Sequence, residues 1–246
     1  MHIAAELAPR AKVGGLGDVV AGLSLACAAR GHAVSVMLPW YECVPEESVV
    51  GLTLADEFEC PKGTRGGSTL RVRVYAGELD GVPVLLIRPD WTSSNLFRGD
   101  RIYGGAYNEA EAYLFFCRVC LEHLQRAVVA GARDAPTAIH VHDWQACPAA
   151  MIYWPLFSKG ALAGARLVLT VHNFDSMGEV KMDEVGDRER WWRWRGRRRG
   201  AAGAAAAAAG RPGGGRAARG ARDGRRGLFS LARGRRLGLG HGLRVA

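Results

Sequence analysis

Seven residues near the start, Lys12-Val13-Gly14-Gly15-Leu16-Gly17-Asp18, constrain this chain more than any other stretch. They stand between a short strand pattern, His2 to Glu6, and an apolar helical pattern, Val19 to Ala29, with Leu23, Ala26 and Cys27 on one face. Gly31 predicts the end of that helix, because glycine tolerates positive φ. Ala33 to Leu38 follows as a buried strand stopped by Pro39. Strand, glycine-rich turn, helix and strand together open a Rossmann-like, doubly wound parallel α/β sheet. The glycines let backbone approach an anion closely, the next helix N-terminus adds partial positive charge, and Lys12 adds a full one. Lys12 precedes the glycines, so the order is not that of a P-loop, nor is the spacing a clean G-x-G-x-x-G. On the residues alone, the loop either approaches a phosphate or sugar or is a tight strand-to-helix turn.

Further along, Leu70 to Tyr75 alternates as a half-exposed strand, Gly81-Val82-Pro83 punctuates, and Val84 to Ile87 reads as another strand. Asn108 and Glu111 predict an N-terminal capping box. Behind it Ala112, Phe116, Val119, Cys120, Leu124 and Ala127 recur at helical spacing. Ala138 to His142 is a strand, and Ala146 to Phe157 a helix with Pro148 in its first turn, where a missing N–H costs little. Arg166 to Val171 is the next strand, with His172-Asn173 at its end. Ligands of open α/β sheets bind beyond the carboxyl ends of strands. Three polar motifs fall at such ends: Lys12 to Asp18, His142-Asp143-Trp144, and His172-Asn173.

Charge divides the chain in two. Residues 186–246 hold 17 Arg, no Lys and 3 acidic residues, a net of +14, whereas residues 1–185 carry a net of −5, so the overall +9 belongs to the tail. Few large apolar residues and high charge predict an Arg/Gly/Ala-rich low-complexity tail that is disordered, or else a gene-model artefact. A nucleic-acid-binding tail is the rival reading, since arginine and tryptophan can bind phosphates and stack on bases. Nucleic acid is not an expected partner of the chain. The six cysteines lack the spacing of a disulfide framework, and Cys117-x-x-Cys120 reads as two helix-face residues packed as small apolar groups. No run of apolar residues is long enough to span a membrane, and a signal peptide is not expected.

Several motifs carry a resemblance. Glu6-Leu7-Ala8-Pro9 and the Lys12 to Val20 stretch resemble the signature of starch and glycogen synthases, the glycosyltransferase family 5 enzymes. Arg30-Gly31-His32, His140-Val141-His142-Asp143-Trp144-Gln145 and Leu169-Thr170-Val171-His172-Asn173-Phe174 agree in order. Ile102 to Glu109 is most similar to plant and algal starch synthases of types III to V. The resemblance implies the N-terminal half of a GT-B glycosyltransferase over residues 1–185. It implies glucosyl transfer from ADP-glucose, with UDP-glucose as the open alternative, to an α-glucan acceptor, in a plastid. Lys12 would neutralise the donor phosphates, with Gly14, Gly15 and Gly17 letting the loop close on it, and Asp18 would lie near the acceptor. His142 would contact the transferred glucose, Asp143 would hold its surroundings, and Trp144, His172 and Asn173 would line the same cleft. Lys12, Asp18 and His142 are thus the expected catalytic residues.

The family reaction needs neither a metal nor a cofactor, and no Asp-x-Asp pair is placed for one. His140 and His142 are expected on opposite faces of their strand, which argues against joint coordination. The nucleotide-binding second domain of the family is not expected within these 246 residues. The resemblance therefore implies half a cleft and no turnover by this polypeptide alone, or a non-catalytic glucan-binding scaffold protein.

Overall fold

A computed structural model describes residues 1–62 and 68–173. The expected domain boundary at 185, the tail 186–246 and the end of the last motif at Phe174 lie outside those residues. The described elements are strands β1 (His2–Ile3), β2 (Val36–Pro39), β3 (Val50–Pro61), β4 (Thr69–Leu79), β5 (Val82–Pro89), β6 (Ala138–His142) and β7 (Arg166–Thr170). Helices α1 (Gly15–Ala28), α2 (Glu109–Val129) and α3 (Asp143–Leu156) connect them. The strands form one sheet in the order β3-β4-β5-β2-β1-β6-β7.

From β5 to β7 all pairings are parallel, as a doubly wound sheet requires, but β3, β4 and β5 pair antiparallel. The sheet is therefore the expected doubly wound parallel one with an antiparallel edge added to it. The physical cause is local. Asp80 (φ 47°) and Gly81 (φ 83°) both adopt positive φ between β4 and β5, the Asp-Gly turn that joins antiparallel neighbours in two residues. β3 had no clear pattern in the sequence, because most of its residues are exposed or half-buried on both faces.

β2 sets the two layers of the core. Its residues are all buried, and alternate side chains leave on opposite faces. Val36 and Leu38 join Leu16 and Val20 of α1 with Val82, Val84 and Leu86. Met37 joins Leu85 and Ile87 with the apolar sides of α2 and α3 on the other face. The buried side of α1 is Leu16, Val20 and Ser24, so Leu23, Ala26 and Cys27, expected to mark that face, sit only at its half-buried margin. Gly31 lies at φ 84° past the helix, as expected.

In α2 the capping residue is confirmed: Asn108 Oδ1 accepts the Glu111 N–H at 2.9 Å. Cys117 and Cys120 are wholly buried on its inner side, and burial pushes both thiols up. They are packing residues. α3 begins at Asp143, three residues earlier than expected, which places Pro148 inside the helix rather than in its first turn. The lost backbone bond costs about 3 kcal/mol in an exposed helix; here Pro148 is buried against the core, which offsets it. Among the described residues no helix is long and apolar enough to cross a membrane.

Candidate functional site

The carboxyl ends of β1, β6 and β7 lie side by side, because these strands are neighbours and parallel. Beyond β1 the chain runs through buried Ala4, Ala5 and Glu6, then pinches where Leu7 and Ala11 exchange two backbone hydrogen bonds. The glycine loop follows. Glu6, 3% exposed, organises it. Its Oε2 accepts the N–H of Val13 at 2.8 Å and of Gly14 at 2.9 Å, while its Oε1 accepts the Tyr103 hydroxyl at 2.8 Å. Gln145 Nε2 donates to the same hydroxyl at 3.2 Å. Glu6 and Tyr103 thus tie the loop to the start of α3. Sequence reasoning singled out neither as a site residue, although an acid at the end of a buried strand was the available signal.

The three glycines do different things. A Cβ on Gly17 would stand 3.1 Å from the Ala8 backbone nitrogen, so only glycine lets the loop close there. Gly14 and Gly15 have nothing within 4 Å of that position, and Gly14 is extended with negative φ. Their lack of side chains leaves open space in front of the N-terminus of α1. Lys12 and Asp18 are both exposed and bridge each other at 2.7 Å.

At the ends of β6 and β7, His142 is fully buried and Asp143 nearly so. Asp143 stands at φ 56°, a left-handed position that aspartate tolerates better than most residues. The turn lets its Oδ1 accept the backbone N–H of His172 at 2.5 Å, so it anchors the end of β7. Trp144 is half-buried, its ring edge-on to Tyr113 at 5.3 Å. His172 is half-buried and Asn173 exposed.

His142 has both ring nitrogens engaged. His2 Nδ1 lies 3.0 Å from His142 Nε2, and His172 Nε2 lies 3.0 Å from His142 Nδ1. His140 is turned to Thr170 Oγ1 at 2.7 Å, its ring centroid 4.1 Å from that of His142. The expectation that His140 and His142 point to opposite faces is therefore wrong. Side chains two residues apart on a strand share a face, and His2 joins them because it pairs with His140 across β1 and β6. His2, His140 and His142 present ligand atoms within 4.8 Å of one another and are the described residues that could hold a metal ion. His2 was not legible as a site residue, since only strand register brings it there.

Burial, helped by the neighbouring rings, pushes His142 down to about 2 and His2 down to about 4. Both rings are neutral in the fold yet free to protonate near 6.5 when unfolded. Their contribution is therefore complete above about pH 6.5 and is lost as pH falls below it, down to about 4 for His2 and about 2 for His142. Each ring removes at most about 1.4 kcal/mol per pH unit in that window. Urea midpoints are expected to fall between about pH 6 and pH 4, and less steeply in His2→Phe. Equal slopes for both proteins would remove His2 as a cause.

With this geometry in view, comparisons with known proteins converge. A family described as the starch synthase catalytic domain matches residues 1–199. The chain belongs to that family of glycosyltransferases. Probable starch synthase 4, chloroplastic/amyloplastic, of Arabidopsis thaliana is 37% identical over 186 residues, covering 76% of this chain and 17% of the relative. The glycogen synthase of Protochlamydia amoebophila is 34% identical over 185 residues, covering 75% and 35%. In structure the chain resembles the catalytic domain of Arabidopsis thaliana starch synthase IV, bound there to ADP and acarbose. That likeness has a TM-score of 0.62 and 38% identity, and covers 71% of this chain and 34% of that one. The fold is that of a GT-B glycosyltransferase domain. The chain spans about a third or less of the length of these relatives.

Proposed function

We propose that this chain supplies the N-terminal half of the cleft of a starch synthase, which transfers glucose from ADP-glucose to the non-reducing end of an α-1,4-glucan. The observation that carries the reading is the meeting of the glycine loop with the His142, Asp143 and His172 group at adjacent strand ends. Open space before α1, with Lys12 at its border, suits a diphosphate. In a retaining transfer the leaving diphosphate gathers negative charge as the glucosyl ring becomes oxocarbenium-like, so a cation held beside it lowers the barrier. Lys12 leaves Asp18 to take that role, and Asp18 is then free to face the acceptor glucan. His142 meets a glucosyl hydroxyl at Nδ1 once His172 is displaced from it, Asp143 fixes the end of β7, and His172, Trp144 and Asn173 border the same cleft.

Two further points are part of the proposal. The ADP bound in the Arabidopsis starch synthase IV structure supports ADP-glucose over UDP-glucose, and similarity to chloroplastic and amyloplastic synthases supports a plastid location. The donor site requires a second domain, so residues 1–185 act as one domain and have no turnover by themselves. The test joins this chain to the C-terminal half of the Arabidopsis starch synthase IV catalytic domain and follows transfer from ADP- and UDP-glucose to maltoheptaose. The chimera is expected to transfer from ADP-glucose, and Lys12→Ala to lower the rate by about a hundredfold or more. A folded chimera without transfer, or transfer by the unextended chain, would overturn the proposal.

A further inference from the structure

The histidine contacts have an order. Each joins a δ nitrogen to an ε nitrogen: His2 Nδ1 to His142 Nε2, then His142 Nδ1 to His172 Nε2, each at 3.0 Å. The row therefore runs head to tail. A neutral imidazole has one N–H and one lone pair. If His142 donates from Nδ1, it accepts at Nε2 from His2, whose proton is then also on Nδ1. His172 accepts at Nε2 and so carries its own proton on Nδ1 too. If His142 donates from Nε2, all three protons move to Nε2. Any other order sets two N–H groups or two lone pairs face to face at a buried contact, which leaves polar atoms unpaired in a low dielectric.

The surroundings leave this choice to the row itself. His142 is fully buried and His2 6% exposed, so solvent cannot supply the missing partner. His140, packed against both rings, is engaged with Thr170. Asp143 spends one carboxylate oxygen on the His172 backbone.

We propose that His2, His142 and His172 form one hydrogen-bonded row of neutral imidazoles sharing a single tautomer, in which His2 is a positioning residue that fixes the nitrogen carrying the His142 proton. A sugar hydroxyl that displaces His172 then meets an Nδ1 whose donor or acceptor character follows the tautomer of His2. The inference rests on the proposed function only in giving His142 a sugar to meet. The proton order is measured without any sugar.

The experiment is long-range proton–nitrogen correlation of the whole chain labelled with ¹⁵N-histidine, assigned by single substitutions. Nitrogen shifts distinguish the protonated from the bare ring nitrogen. The three rings are expected in one common tautomer. His2→Phe keeps a ring but no nitrogen and is expected to turn His142 into a mixture of both tautomers. A merely structural role for His2 would leave the His142 tautomer unmoved in His2→Phe, and that result overturns the proposal. So would three rings in unlike tautomers, or one equivalent of Zn²⁺ found on these nitrogens in the purified chain. If His2→Phe does not fold, nitrogen–nitrogen coupling across the His2–His142 contact of the unaltered chain decides: its presence supports the row and its absence overturns it. A chimera without transfer beside an intact row would remove the catalytic reading alone.

Discussion

Glu6→Ala is expected to cost about 3 kcal/mol of folding free energy. One carboxylate accepts the N–H groups of Val13 and Gly14 and the hydroxyl of Tyr103, in a setting where Glu6 is 3% exposed. Alanine leaves all three donors without an acceptor, at about 1–3 kcal/mol for each that water does not reach. Relief of the buried carboxylate's own desolvation returns part of that, which is why the sum is set at the low end. Against a typical domain stability of about 5–15 kcal/mol the loss is large. Glu6→Gln keeps an acceptor oxygen and is expected to recover about half. Urea unfolding gives the energy, and amide exchange at Val13 and Gly14 gives the location. A loss below about 1 kcal/mol would mean that the loop holds its shape without this anchor.

Phe97→Ala is expected to cost about 3–5 kcal/mol. Phe97 is fully buried, and its ring meets Tyr41, Tyr107, Tyr113 and Phe116 at centroid distances between 5.6 and 6.3 Å, three of the four contacts edge-on. Truncation removes these contacts and leaves a void. The damage would reach the site as well. Tyr41 and Tyr113 hydrogen-bond each other at 3.0 Å, and the Tyr41 hydroxyl donates to the Ala5 carbonyl at 2.9 Å, just beyond β1. Phe97 also stands at φ 61°, an uncommon conformation for a bulky residue that only the surrounding packing sustains. Phe97→Leu fills most of the space and is expected to lose less. The difference in urea midpoint between the two variants checks the account; equal losses would point to backbone strain instead of the ring.

Local features were legible where a short window contained their cause. The Asn108 cap, the turn glycine Gly31 and the apolar stripe of α2 each depend on residues within a few positions of one another, and the structure has them as expected. The family resemblance was legible for the same reason, being carried by contiguous motifs. Errors arose where distant chain intervened. The buried side of α1 turned toward Val20 and Ser24 because the sheet, not the helix, decides which side is covered. α3 started early because Asp143 could take a left-handed turn at the strand end.

The sequence by itself determined the strand–glycine loop–helix–strand unit, the sites of polar residues at strand ends, and membership of the glucan-synthase family. Periodicity and turn chemistry act within a few residues, so they survive in a one-dimensional reading. Only the tertiary structure decided that β3 and β4 join antiparallel, that Glu6 fastens the glycine loop to Tyr103, and that His2 stands beside His142. Residues 2 and 142 are brought together by the parallel register of β1 on β6, a long-range pairing that no local pattern encodes.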